Sequence, residues 1–262
     1  MSPDRMVTQA MIMMEFREFT LPLVLVVAYI LAVVRSNRRY GRWPLYRTGS
    51  WLLGVCCAAW SVADSVYNHG HHSFTAHMVV HLLLGMLSPL LIALARPLTL
   101  TLRTLNRQAA RALSRCLRSR LFSFISSPLT ASALHVGGLW LLYATDLYAW
   151  MHAHPWLYRL VHVHLFAAGY LFTATILQLE ASPHQRSLPY RMTVFMAASA
   201  VHAVLAKSLY AAPPSGVHAE EAALGSMVMF YGGDLAEILM LLVLFHSWYR
   251  SGNRRSSHYS PG

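Results

Sequence analysis

The sequence is poor in charged residues and in cysteine. Only 12% of its 262 residues are charged whereas 56% are hydrophobic, so the chain lacks the polar surface that a soluble domain requires. Its three cysteines include the adjacent Cys56 and Cys57 and form no C-x-x-C motif, so a disulfide framework is excluded and cysteine chemistry is a poor candidate. The composition is that of an integral membrane protein.

Acidic residues are scarce, with 10 against 21 lysine and arginine residues. In a soluble chain the net charge of +11 would suggest a nucleic-acid partner, but in a membrane protein the positions of the basic residues must be considered first. Seven apolar segments can be drawn from their length and their polar ends: 19–34, 48–67, 74–95, 128–150, 157–178, 192–210 and 225–248.

The basic residues are distributed unequally between the two sides of these segments. Threading the chain through them puts 17 of the 21 on one side and only Arg5, Arg17, Arg159 and Lys207 on the other. The positive-inside rule then places the N-terminus outside and the C-terminus in the cytoplasm. Topology thus accounts for the excess charge, and we expect no nucleic-acid partner.

We therefore predict an all-α, polytopic membrane protein with a bundle of seven transmembrane helices. Its parts are an outer N-terminal segment (1–18), the membrane domain (19–248) and a polar cytoplasmic tail (249–262). Within the membrane domain, the cytoplasmic loop 96–127 carries arginines at a four-residue spacing. This spacing is typical of an amphipathic helix that contacts anionic lipid.

The third apolar segment begins with histidines. His77 and His81 are four residues apart, so an α-helix places them on one face, one turn from each other. This is a spacing that metal ligands use, and ionisable groups inside a membrane helix usually mark function. Two histidines hydrogen-bonded to neighbouring helices or to headgroup water would be the alternative.

Eleven of the fifteen histidines fall in the outer half of the predicted bundle or beyond its outer surface. Histidines from three helices can converge on one copper or zinc site. They are His77, His81, one of His162 and His164, and His202. Since His162 and His164 are two apart, a helix points them in nearly opposite directions. Residues expected to support the site as ligands or by orienting an imidazole are Asp64, Asp146 and His154.

Two carboxylates lie within the last apolar segment. Asp234 and Glu237 share a helical face and follow two glycines, which permit close helix packing. A lone carboxylate at this depth is unfavourable, so we expect pairing with Lys207 or with a bound cation. We predict that Lys207, Asp234 and Glu237 face each other below the histidines and close the inner end of the metal site. A purely structural ion pair is the alternative.

Several short motifs together resemble a known family. They are His77-Met-Val-Val-His81, Ser88-Pro89, Arg96-Pro97, Tyr143-Ala-Thr, His154-Pro155, His162-Val-His164, His202 to Lys207, and Met229-Phe-Tyr-Gly-Gly-Asp234. Over residues 70–248 the combination resembles the CtaG-type cytochrome c oxidase assembly factors. The resemblance implies a seven-helix bacterial plasma-membrane protein that delivers copper during maturation of a haem-copper oxidase. The implied partners are oxidase subunits or copper chaperones.

Two other functions fit the same residues. A copper or proton-coupled transporter would use the histidines as its entrance, with Asp234 and Glu237 further along the path. A b-type cytochrome would bind haem between histidines of two helices. The sequence favours neither over assembly, because only His135 and His246 are available as ligands in the inner leaflet. We expect copper rather than haem, and no enzymatic activity.

Overall fold

The computed structural model describes the backbone of residues 3–63, 73–180 and 184–256, and the side chains of residues 20–63, 73–180 and 184–250. Within these ranges all regular structure is helical and no strand occurs. The helices are α1 (Pro3–Arg39), α2 (Leu45–Ser61), α3 (Phe74–Leu82), α4 (Ser88–Ala95), α5 (Pro97–Thr104), α6 (Arg107–Leu117), α7 (Arg120–Ile125), α8 (Pro128–Tyr143), α9 (Leu147–Ala153), α10 (Pro155–Leu177), α11 (Leu188–Ala211) and α12 (Ala219–Ser256). A π-helical turn (Leu83–Leu87) joins α3 to α4.

Polar residues and prolines set where these helices begin. The Ser73 side chain accepts a hydrogen bond from the backbone N–H of Ala76 at the start of α3, and Ser127 accepts one from Thr130 at the start of α8. Proline opens both α8 and α10, at the position where its missing N–H costs nothing. The helix starts therefore follow from local sequence.

The prediction of an all-α protein is confirmed in the described part of the chain. Five helical stretches are long and apolar enough to cross a membrane: Thr20–Arg39, Phe74–Thr104, Pro155–Leu177, Leu188–Ala211 and Ala219–Arg250. The other two predicted segments form α2 and α8, which have 17 and 16 residues. Five candidate spans are thus found, and the count of seven stays a prediction.

The fourth predicted segment, 128–150, is interrupted. Helix α8 ends at Tyr143, and α9 begins at Leu147. The hydroxyl of Thr145 donates to the carbonyl of Leu141 at 2.6 Å and accepts from the backbone N–H of Leu147 at 3.2 Å. A hydroxyl that satisfies backbone groups on both sides of a break stabilises the break.

Helix α3 lies at the centre of the bundle. It packs against α12, the π-helical turn packs against α10, and α8 packs against both α10 and α11. Buried apolar side chains fill the space on either side of the histidines, with Met78, Leu139 and Leu205 in one cluster and Val136, Phe172 and Phe195 in the other. The bundle therefore brings side chains of α3, α8, α10, α11 and α12 together.

Helix α2 packs extensively against α4, and specific hydrogen bonds join both α1 and α2 to α4. The hydroxyl of Tyr29 donates to the carbonyl of Ala95 at 2.9 Å and accepts from the indole N–H of Trp43 at 3.1 Å. The buried hydroxyl of Ser88 donates to the carbonyl of Gly54 at 2.8 Å. These bonds join the start of the chain to the bundle without reaching the histidines.

At the far end of α10, Glu180 caps a neighbouring helix. Its carboxylate accepts a hydrogen bond of 3.1 Å from the backbone N–H of Thr99 in the first turn of α5. Burial raises the pKa of Glu180, while the backbone N–H groups of Thr99 and Leu98 partly oppose that rise. The start of the loop predicted to contact anionic lipid is thereby fixed to α10.

Candidate metal-binding site

His77 and His81 share a face of α3, as their spacing predicts, and both are buried. The exposed fraction is 2% for His77 and 0% for His81. Their neighbours differ, however. His77 lies among tyrosines and histidines of α8, α9 and α10, whereas His81 lies next to a histidine of α11.

The tyrosine-lined group consists of His77, His152 and His162. The ring centroid of His77 is 5.8 Å from that of His162 and 6.0 Å from that of His152. His77 Nε2 shares a hydrogen bond of 3.0 Å with the Tyr143 hydroxyl, and the ring of Tyr158 stacks on that of His162 at 4.0 Å. Aromatic contacts thus fix the orientation of these imidazoles.

Hydrogen bonds to the backbone set the tautomers of two members of this group. Nδ1 of His162 lies 2.8 Å from the carbonyl of Tyr158, and Nδ1 of His152 lies 2.8 Å from the carbonyl of Tyr148. A carbonyl only accepts, so Nδ1 carries the proton and Nε2 carries the lone pair. This is the tautomer in which Nε2 binds a metal.

A second arrangement, the His81–His202 pair, lies one turn further along α3. The two ring centroids are 6.0 Å apart. Both nitrogens of His81 and Nε2 of His202 are buried and have no hydrogen-bond partner in the described part of the chain. On its other side, Nδ1 of His202 lies 3.6 Å from Oε1 of Glu237.

Glycines let the backbone around this pair pack closely. A Cβ on Gly169 would overlap the carbonyl oxygen of Gly85 in the π-helical turn, so α10 and this turn approach as closely as glycines allow. A Cβ on Gly233 would lie 2.5 Å from Cε1 of His202. π-helical turns often mark functional sites, and this one begins two residues after His81.

A small cavity lies beside Glu237, and neither His81 nor His202 lines it. Its volume is about 10 Å³, and Gly85, His135 and Glu237 are among its lining residues. That is roughly the space that one water molecule needs. The ring of His135, on α8, stacks on Phe172 at 5.3 Å.

A larger cavity of about 450 Å³ opens beside the tyrosine-lined group. Its wall includes Trp140, Tyr143 and Leu205, and its mouth includes Asp146, which accepts a hydrogen bond of 3.1 Å from Ser215. No histidine lines it. Tyr143 therefore separates this cavity from His77.

Some predicted site residues lie elsewhere. His164 is exposed, and its Nε2 lies 3.2 Å from the carbonyl of Leu134, so of the two neighbouring histidines only His162 joins the cluster. His154 is exposed, with its Nδ1 on the carbonyl of Trp150 at 3.0 Å. Asp146 lies at the mouth of the larger cavity, and Asp64 lies outside the described residues.

The predicted pairing of Lys207 with Asp234 and Glu237 is wrong. Lys207 is exposed, and its Nζ lies 5.1 Å from the centre of the Phe230 ring. Its position on α11 turns it away from the neighbouring α12 carboxylates, and Glu237 faces His202 instead. Asp234 is half-buried and forms no ion pair with any described residue.

The predicted set of ligands also separates into smaller units. Among the described residues, no three histidine, cysteine or acidic side chains converge closely enough to hold one metal ion. The geometry instead offers pairs of imidazoles, one in the tyrosine-lined group and one at His81 and His202.

Sequence reasoning missed His135, His152 and the tyrosines. The emphasis on one leaflet set His135 aside, although it lies midway along an apolar helix. His152 follows Tyr148 by one helical turn, and this spacing was the available signal for its backbone hydrogen bond. No comparable signal pointed to Tyr158, whose role depends on packing between helices.

Comparison with known proteins identifies a family for this chain. The model of a family described as cytochrome c oxidase caa3 assembly factor (Caa3_CtaG) matches residues 27–251, which confirms the resemblance. An uncharacterized protein of Mycobacterium leprae is 26% identical over 256 residues, covering 88% of this chain and 38% of the relative. Uncharacterized proteins of Mycobacterium bovis and Mycobacterium tuberculosis are each 30% identical over 187 residues, covering 69% of this chain and 28% of the relatives. The chain thus spans less than two fifths of these curated relatives, and no solved structure matches it.

Proposed function

The chain belongs to the cytochrome c oxidase caa3 assembly factor family, and we propose that it binds copper and assists the maturation of a metal centre in a haem-copper oxidase. Its place is the bacterial plasma membrane, and its partners are oxidase subunits or copper chaperones. The role is one of binding and transfer rather than catalysis.

One observation carries the proposal. His77 and His81 share a buried face of a membrane helix, and each lies beside a histidine from another helix, namely His162 and His202. With metal–nitrogen bonds of about 2 Å, two imidazoles on one metal place their ring centroids roughly 5 to 6 Å apart. The separations of 5.8 and 6.0 Å fall within this range.

The donor chemistry favours copper among the metals that imidazole binds. No three described histidines converge on one metal position, so an ion would have two imidazole ligands, which Cu(I) accepts, whereas structural zinc sites need four ligands. Copper, when bound, supplies the ion that the oxidase incorporates. The protein's own residues hold it, orient the imidazoles through Tyr158 and Glu237, and exclude water through the apolar side chains around them.

Metal analysis of the purified protein tests this proposal. The His77→Ala, His81→Ala double variant is expected to lose most of its bound copper, because it removes both α3 ligands. His154→Ala is the matched control, since His154 is an exposed histidine that belongs to neither imidazole pair, and it should keep the copper of the unaltered protein.

Two results would contradict the proposal. One is full copper stoichiometry in the double variant. The other is a haem absorption band in the purified protein, which would support the b-type cytochrome instead.

We also propose seven transmembrane helices with the N-terminus outside. The distribution of arginine supports this, and so do α2 and α8, whose 17 and 16 residues correspond to roughly 25 Å of helix. This is a few ångströms short of the hydrocarbon core of roughly 30 Å, and local thinning of the bilayer can accommodate that difference.

Cysteine-accessibility labelling tests the topology. In a variant without Cys56, Cys57 and Cys116, single cysteines replacing Ser2 and Ser256 should react with a membrane-impermeant reagent from opposite sides. Reaction of both from one side would mean an even number of spans, and α2 or α8 would then lie within the bundle without crossing.

A further inference from the structure

We propose that the chain has two separate copper positions arranged in series along α3, the tyrosine-lined group and the His81–His202 pair. This inference rests on the proposed function, because it divides the proposed copper site into two. The single site centred on His77 and His81 is replaced by two sites that each take one of these histidines.

The first step is that the two histidines of α3 have different partners. His77 contacts Tyr143, His152 and His162, whereas His81 faces His202. Four residues of α-helix separate them by about 6 Å along the axis. An ion held between His77 and His162 is therefore not the ion held between His81 and His202.

The second step is that Glu237 prepares His202 to bind a cation. The Glu237 carboxylate lies 3.6 Å from Nδ1 of His202, which is too long for a hydrogen bond, but its charge favours a proton on Nδ1 and so leaves the lone pair on Nε2. Metal-bound histidines commonly make this contact with a carboxylate. The carboxylate of Glu237 also balances the charge of a cation within the membrane. Because Lys207 is exposed, it does not neutralise this carboxylate.

The third step is that no described residue satisfies the ring nitrogens of His81. It is fully buried, and neither ring nitrogen has a hydrogen-bond partner in the described part of the chain. A buried polar atom left without a partner destabilises the fold, so such an atom calls for a ligand. A cation between His81 and His202 would satisfy one nitrogen of each.

The fourth step is the different access to the two positions. The cavity of about 450 Å³ has Tyr143 in its wall, and Tyr143 is hydrogen-bonded to His77. The cavity beside Glu237 measures only about 10 Å³ and has Gly85 and His135 in its lining. A copper ion from a donor protein would thus reach the tyrosine-lined group first and the His81–His202 pair second.

Anaerobic titration of the full chain in detergent with Cu(I), against a chromogenic chelator, tests the inference. The unaltered protein is expected to bind two Cu(I) ions. His77→Ala with His162→Ala should retain one, and His81→Ala with His202→Ala should also retain one. A single ion that either double variant abolishes would overturn the two-position inference and leave the proposed function standing, whereas no bound copper at all would overturn both.

A milder substitution guards against loss of folding in the double variants. Glu237→Gln keeps the shape of the side chain and removes its charge. We expect it to lower the affinity for one of the two Cu(I) ions by at least roughly tenfold and to leave the affinity for the other unchanged. A loss of this size is usual when the carboxylate behind a metal-bound histidine is removed. Equal weakening of both ions, or of neither, would contradict the separation.

Discussion

Gly169→Ala is expected to lower the stability of the detergent-solubilised protein by at least about 3 kcal/mol, which is the upper end of the usual cost of overpacking a core. The added methyl group would overlap the carbonyl oxygen of Gly85. That oxygen belongs to backbone, so it cannot swing aside as the end of a side chain can. Helix α10 would have to move away from the π-helical turn, and His162 would move with it.

Gly137→Ala is the matched control. Gly137 also lies within a helix of the bundle, α8, but a Cβ at this position would meet nothing within 4 Å. The substitution should be neutral or should stabilise α8, because alanine favours a helix interior over glycine by about 1 kcal/mol. Thermal unfolding of both variants in the same detergent makes the comparison. Equal melting temperatures would mean that α10 does not pack on the turn as closely as the structure has it.

Sequence periodicity predicts the features of this protein that lie within one helix. The shared face of His77 and His81 follows from their spacing, and so does the separation of His162 from His164. The apolar segments likewise predict the helices, except where Thr145 interrupts one of them. These predictions succeed because the geometry of a single helix is fixed by its residue count.

Relations between helices are not predictable in the same way. The sequence contains no measure of the rotation of α11 against α12, and it therefore does not distinguish Lys207 from His202 as the partner of Glu237. It also contains no measure of how closely α10 approaches the π-helical turn, which depends on Gly85 and Gly169. The division of the histidines into two positions follows from such approaches and is visible only in the assembled bundle.

Loss of only the second copper ion is the expected result for Gly233→Ala. A methyl group at this position would lie 2.5 Å from Cε1 of His202, which is held in place by Glu237 and by the surrounding core. The ring must turn, which changes the direction of its Nε2 lone pair relative to His81. We expect the affinity of the His81–His202 pair for Cu(I) to fall roughly 10- to 100-fold, as when the orientation of a metal-binding histidine is lost.

Gly138→Ala is the control for Gly233→Ala, because it also places a methyl group against an imidazole, 2.6 Å from Nε2 of His164. His164 is exposed and can turn towards the lipid, so both Cu(I) affinities should stay as they are in the unaltered chain. Titration of the two variants under the same anaerobic conditions decides the matter. If Gly233→Ala keeps both affinities, His202 is not a copper ligand. If Gly138→Ala lowers one affinity, His164 is a ligand and would replace His202 at the second position.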